Sequence, residues 1–354
     1  MTLPDRALAA TAALALRCTS ALTGPRLSIL IFHRVLRERD PIFPDEVDAA
    51  RFDRLMGLVA CSFHVMPLAE AAGRLTEGTL PRRALSITFD DGYADNHDVA
   101  LPILQRHGLT ACFFVATGFL DGGRMFNDTV IECVRSSTRP QIDLSEFGQG
   151  SVALSSPLQR AAAIEAMLSI IKYLGPNQRP QALERVRALC QPHTLPDDLM
   201  MSRTQVRALH AAGMEIGAHT VRHPILCTLP DVEVEHEMVA SRNALQAMID
   251  HPVTLFAYPN GQPDRDYAYR HARMAQRLGF AAGVTTAPGT AGTGDDAFQL
   301  PRFTPWDRAP AFWMTRLIAA RRRHTFSVAQ APRDAGLRRA ATGTLPDPID
   351  LPNR

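Results

Sequence analysis

The run Ala84-Leu85-Ser86-Ile87-Thr88-Phe89 reads as a buried strand, and it is followed at once by Asp90-Asp91-Gly92. Two adjacent carboxylates where a buried strand gives way to a loop is the position used for sites in barrels of alternating strands and helices. Similar strand-like runs recur at 28–32, 111–116, 215–218, 254–257, 281–285 and 298–302. Helical signals separate them. One helix is expected from Ala94 to His107, closed by Gly108 and capped by Asp95 and Asn96, and another starts at the capping box Ser202/Gln205 and stops at Gly213. A chain of 354 residues is within reach of one barrel with insertions. Seven strands are too few for the standard eight-stranded barrel, and composition alone also allows an open doubly wound sheet.

Asp90 and Asp91 repel each other, so a positive partner is required. A divalent cation fits if one aspartate binds it and the other stays free as a base. A second motif supplies more ligands. After the strand-like Met214-Glu215-Ile216-Gly217-Ala218 come His219 and His223, whose spacing of four suits one side of a helical turn. Two neutral imidazoles and one carboxylate suit zinc and leave a position open for water; cobalt, manganese or nickel could occupy the same geometry. Taken one at a time, each aspartate is equally a cap and each histidine a satisfied polar group.

The joint pattern, Thr88-Phe89-Asp90-Asp91-Gly92 followed by His219-Thr220-Val221-Arg222-His223, resembles the polysaccharide deacetylases of the NodB-homology type, carbohydrate esterase family four. The resemblance covers about 27–306. It implies an α/β fold, a distorted (β/α)7 barrel, with Asp90 as general base and Asp91, His219 and His223 as metal ligands. A third family motif is met in part by Ala257-Tyr258-Pro259-Asn260-Gly261. Ala257 stands where the family has an arginine that pairs with the base. Asn260 stands where a tyrosine's backbone N–H helps hold the oxyanion, and a backbone donor survives the replacement. Arg302, near the end of the last strand-like run, is the candidate to supply the missing guanidinium. The family's late histidine acid has no counterpart, so the proton donor is unassigned. His33, at the end of 28–32, is a candidate to donate a proton or bind sugar, or is an ordinary buried histidine.

The chain divides into an N-terminal helical segment, 1–26, the deacetylase-like domain, 27–306, and a C-terminal helix with a disordered tail, 307–354. Between the third and fourth strands, about 121–201, lies an insertion too long for a loop and too apolar for disorder. Its amphipathic stretches, Leu158 to Leu174 and Gln181 to Cys190, make it a helical subdomain beside the active-site mouth, either a lid or partner surface or a packed decoration.

A formal charge of +2, from 38 basic and 36 acidic residues, gives no footprint for nucleic acid. Arg321-Arg322-Arg323 with Arg316 reads as a solvated helix face, with membrane-surface attachment as the alternative. The apolar run Ala7 to Leu16 is too short for a membrane span. Six scattered cysteines without C-x-x-C spacing point to a reducing, cytoplasmic setting; export is the lesser expectation.

The leading function is a metal-dependent N-deacetylase acting on an N-acetylated glycan, closer in its strand-one Ile-Phe-His-Arg and its Tyr-Pro-Asn-Gly to enzymes of exopolysaccharide assembly. Two other readings stand beside it. One is a catalytically silent barrel that binds glycan or a biosynthetic partner, and the other is a metal hydrolase of a small-molecule amide.

Overall fold

The computed structural model describes residues 2–175, 178–305, 309–322 and 326–331. Seven short parallel strands form its centre among these residues: β1 (Arg26–Phe32), β2 (Ala84–Phe89), β3 (Cys112–Val115), β4 (Glu215–Ala218), β5 (Leu255–Ala257), β6 (Ala282–Pro288) and β7 (Leu300–Arg302), hydrogen-bonded in that order. The sheet closes on itself. Just past β7 the Phe303 amide donates to the Ile29 carbonyl at 2.7 Å, and the Ile31 amide donates to the Phe303 carbonyl at 3.1 Å. The result is a nearly closed, distorted seven-stranded barrel.

Burial decides the strands. All seven residues of β1 and all six of β2 are buried, paired from Ser28 with Leu85 to Phe32 with Phe89. One face of this pair packs outward on the helices, where the Phe89 ring stacks on Phe113 at 4.7 Å and Phe52 of α2 (Ala49–Ser62) meets Phe32 edge-on at 5.3 Å. The other face fills the barrel, where Phe114 sits directly across from Gly217. A Cβ at Gly217 would meet that ring at 2.3 Å, so this strand pair requires glycine.

The helices complete the outer layer. α1 (Leu3–Thr23) precedes β1 and packs on α2; α3 (Leu68–Thr76) leads into β2. The helix after the paired aspartates begins with a π turn, Asn96–Ala100, and continues as α4 (Leu101–Arg106). Asp95 and Asn96 do not cap it. Asp95 accepts the Val35 amide at 3.0 Å and the Arg34 guanidinium at 2.8 Å, and Asn96 donates to the His33 carbonyl at 2.8 Å. Both side chains are spent on fixing the loop after β1, a demand that local sequence does not reveal.

Between β3 and β4 come α5 (Phe126–Ser136), α6 (Pro157–Ile171), α7 (Gln178–Cys190) and α8 (Arg203–Ala211), the last with its expected Ser202/Gln205 capping box. The insertion is not purely helical. Gln141–Asp143 and Ser151–Ala153 pair as an antiparallel hairpin, too short and polar to announce itself in sequence. The hairpin, α5, α6 and α7 share a separate hydrophobic core built on Val130, Ile142, Leu154, Met167 and Val186. It is pinned to the barrel side by the Arg135–Asp40 pair, at 3.1 and 2.6 Å, and by the Tyr93 hydroxyl, which donates to Asp128 at 3.1 Å.

α9 (Asp231–Ile249) and α10 (Tyr269–Arg277) follow β4 and β5, and α11 (Pro310–Arg322) returns against α1. The expected basic surface cluster is broken up here. Arg321 is 1 % exposed and reaches under the barrel to donate to Ser28 Oγ at 2.8 Å. Burial lowers its guanidinium to about 10. Periodicity in a short terminal helix could not show which arginine turns inward. Trp306, Arg323, His324 and the tail from residue 332 onward lie outside the described residues. No helix among the described residues is long and apolar enough to cross a membrane.

Asp128 gives the fold a measurable pH dependence. It is 3 % exposed, its second oxygen has no partner, and burial, opposed by Arg34, raises its carboxyl to about 7. Between about pH 4 and pH 7 the folded chain therefore holds a proton that the unfolded chain has released, so stability falls as pH rises through that window. Asp128→Asn keeps an acceptor for Tyr93 and removes the penalty. It is expected to gain about 1–3 kcal/mol over the parent at pH 8, and little at pH 4, in paired thermal melts. An equal effect at both pH values would show that Asp128 does not titrate in this way.

Candidate active site

Every candidate residue named from sequence lies at or just beyond the C-terminal end of a barrel strand: His33 after β1, Asp90 and Asp91 after β2, His219 and His223 after β4, Asn260 after β5 and Arg302 at the end of β7. Six of them, all but Arg302, line one cavity of about 360 Å³.

The strongest contact is between Arg302 and Asp90. Nη1 donates to Oδ1 at 2.7 Å and Nη2 to Oδ2 at 2.6 Å, with both side chains buried. The rest of the guanidinium is also satisfied, Nε by the Thr285 carbonyl at 2.7 Å and Nη1 by Thr88 Oγ1 at 3.2 Å. Burial alone would raise the Asp90 carboxyl, but the Arg302 charge and hydrogen bonds, helped by nearby imidazoles, hold it below the usual carboxylate range. The guanidinium absent at Ala257 is thus supplied from another strand.

Asp91, His219 and His223 converge beside this pair, their donor atoms all within 4.8 Å of one another. Asp91 Oδ1 is 3.3 Å from His219 Nε2 and 3.4 Å from His223 Nε2. That oxygen is buried and accepts no hydrogen bond among the described residues. A buried, orphaned carboxylate oxygen facing two imidazole nitrogens is what a cation would satisfy, and the three-donor set fits zinc. Burial pushes His223 down to about 4, which keeps its imidazole neutral at pH 7, as a ligand must be. Burial lowers His219, but Asp91, Asp90 and the Ala257 carbonyl together outweigh it and draw the group upward. His219 Nδ1 lies 2.8 Å from the Ala257 carbonyl, an N–H donor contact that leaves Nε2 to face the cluster.

The two histidines are not on a helical turn. They flank an irregular loop in which Thr220 (φ +66°) and His223 (φ +52°) adopt left-handed backbone, as do Asp91 (φ +76°) and Asn260 (φ +58°). Non-glycine residues held there carry strain that the surroundings must enforce. Glu237 on α9, 1 % exposed, does this for the histidine loop, accepting the Val221 and Arg222 amides at 2.8 and 2.9 Å and the Arg222 guanidinium at 2.6 Å. The Thr286 hydroxyl holds the Asn260 carbonyl at 2.7 Å, and the Asn260 amide N–H has no acceptor among the described residues. Sequence reading missed Glu237 and Thr286. A lone acid among the apolar positions Val234, Met238 and Leu245 of α9 was the available signal for the first, and there was none for the second.

His33 is exposed rather than buried, and it also lines an adjoining cavity with Asp91, Tyr93, Asn127 and Asp128. Besides Thr286, the remaining wall of the main cavity comes from the insertion: Met125, Phe126, Asn127, Leu168 and Lys172.

The chain is similar to known deacetylases in sequence and in fold. A sequence profile of the family described as polysaccharide deacetylase matches residues 77–139 and 181–282, passing over 140–180. YxkH of Bacillus subtilis (strain 168), which bears a polysaccharide deacetylase name, is 22% identical over 278 residues, covering 78% of this chain and 70% of its own length. Among solved structures, the Streptococcus pyogenes deacetylase PplD, in complex with acetate, superposes with a TM-score of 0.56 at 19% identity, covering 83% of this chain and 98% of that one. IcaB from Ammonifex degensii gives 0.53 at 18% identity, with 85% and 99% covered. Residues 77–139 and 181–282 thus carry the match to the polysaccharide deacetylase family, hydrolases of the amide C–N bond.

Proposed function

We propose that this protein is a metal-dependent N-deacetylase that removes acetyl groups from an N-acetylated polysaccharide or glycan precursor, in the metabolism of exopolysaccharide or another cell-surface polysaccharide. The observation that carries the reading is the buried Asp91–His219–His223 cluster, with its orphaned oxygen, beside an aspartate clamped by Arg302. PplD, solved with acetate, supports acetate as the product.

Asp91, His219 and His223 are the residues that would hold the ion, zinc by ligand type, with cobalt, manganese or nickel as substitutes. When bound, such an ion supplies Lewis-acid polarisation of an acyl carbonyl and a more acidic water. Asp90, kept ionised by Arg302, takes the proton of the attacking water. The unpaired Asn260 amide donates to the oxygen on which charge develops, a contact worth more in the transition state than in the ground state. His33, exposed at the rim, is placed to contact sugar. A cytoplasmic setting is the reading drawn from six scattered cysteines without C-x-x-C spacing.

Metal content and acetate release from N-acetylglucosamine oligomers test the reading together. The intact protein is expected to carry about one zinc, as a single three-ligand site implies, and to release acetate. Asp90→Asn should keep the metal and lose the activity, whereas His219→Ala should lose both. Metal bound without acetate release would refute the substrate assignment, and absence of metal would refute the mechanism.

The ion pair makes a separate demand on stability. Arg302→Met leaves the Asp90 charge buried without its partner and is expected to cost about 3–5 kcal/mol in urea unfolding. Arg302→Lys keeps the charge but loses the paired geometry, so it should fall between that variant and the parent. A midpoint for Arg302→Met equal to the parent's would mean that the pair does not hold the fold.

A further inference from the structure

Of the 38 basic residues in this chain, 37 are arginines, and the one lysine, Lys172, lines the reaction cavity with Asp90, Asp91, His219 and His223. Everywhere else that a fixed positive charge is needed, including the clamp on Asp90, the chain uses arginine. Arginine stays protonated under all conditions a protein meets, whereas a lysine ammonium can give up its proton.

The placement is built. Lys172 ends α6, in the stretch 140–180 that the family profile passes over. Arg179 stacks on the Phe126 ring, its guanidinium carbon 4.5 Å from the centroid, and donates to the carbonyls of Lys172 at 2.9 Å and Leu174 at 3.2 Å. This bracket fixes the end of α6 to the start of α5 above the cavity. The Lys172 side chain is half-buried and pairs with no carboxylate among the described residues.

We propose that Lys172 is the general acid of the reaction, delivering the proton that the departing amine requires. This rests on the deacetylase reading above. As the C–N bond of the tetrahedral intermediate breaks, its electron pair goes to nitrogen, which takes a proton from Lys172 Nζ. The sugar leaves as a neutral amine and the acyl group as acetic acid, which then ionises. Lys172, now an uncharged amine, regains a proton by way of solvent from Asp90, which took one from the attacking water. The insertion thereby supplies the donor for which the barrel strands provide no histidine.

Leaving-group dependence tests this, because a general acid matters for an amine and not for a phenolate. With zinc supplied, Lys172→Arg and Lys172→Met are both expected to lose about a hundredfold or more in kcat on N-acetylglucosamine oligomers, while hydrolysing 4-nitrophenyl acetate near the parent rate. Retained ester hydrolysis also shows that each variant is folded. If Lys172→Arg keeps amide activity, a fixed charge suffices and the proposal falls. Equal loss on both substrates in Lys172→Met would make Lys172 a binding or structural residue and overturn it as well. An intact protein inactive on every N-acetylated oligomer would instead sink the deacetylase reading, and this inference with it.

A second readout needs no turnover. In the Asp90→Asn protein, Lys172 and the N-terminus are the only amines, so amine acetylation can be followed at Lys172 by mass spectrometry. A bound N-acetylglucosamine oligomer should slow its labelling, and an unchanged rate under saturation would overturn the proposal.

Discussion

The contact between Arg302 and Asp90 is where fold and chemistry meet. Arg302 sits at the end of the last strand and Asp90 just beyond the second, and β1 between them is the strand across which the barrel closes. A buried charge pair is tolerable only when every polar atom is paired, and the guanidinium meets this through Thr285 and Thr88 as well as the aspartate. The pair thus works as a clasp whose two halves are brought together only by the finished barrel. It also offsets the burial of Asp90, so that this carboxylate stays ionised inside the folded chain as it would in water.

Around this clasp the candidate metal ligands are positioned by backbone that resists their conformation. Asp91, Thr220, His223 and Asn260 all hold left-handed dihedrals. Glu237 from α9 and Thr286 from β6 hold two of these loops by hydrogen bonds to backbone groups. The ligands therefore depend on helix and strand packing well outside the cavity. Rigidity of this kind favours one arrangement of three donors over the alternatives that a flexible loop would sample.

Much of this was legible in the chain itself. Apolar runs of four to six residues between helical signals located all seven strands, with ends off by at most three residues, because burial inside a barrel leaves little freedom in composition. The paired aspartates and spaced histidines announced a metal chemistry, since few other needs place such groups at strand ends. The reach of Arg302 was inferable only as a vacancy at Ala257 that some arginine had to fill. What stayed hidden were contacts between segments distant in sequence. The inward turn of Arg321, the use of Asp95 and Asn96 to hold the loop after β1, and the support from Glu237 each depend on a partner that only the tertiary fold brings near. The irregular loop holding His219 and His223 was misjudged because a spacing of four is shared by helices and by tight turns.

The insertion has a core of its own, separate from the barrel's, yet it contributes Phe126, Leu168 and Lys172 to the cavity wall. The cavity is thus walled by two separately packed parts of the chain, of which the barrel alone carries Asp91, His219 and His223. Residues 140–180 contribute two side chains to that wall and none to the Asp91, His219 and His223 cluster. A lineage built this way can remodel the wall that faces the ligand, together with the lysine it carries, while inheriting the Asp91, His219 and His223 cluster intact.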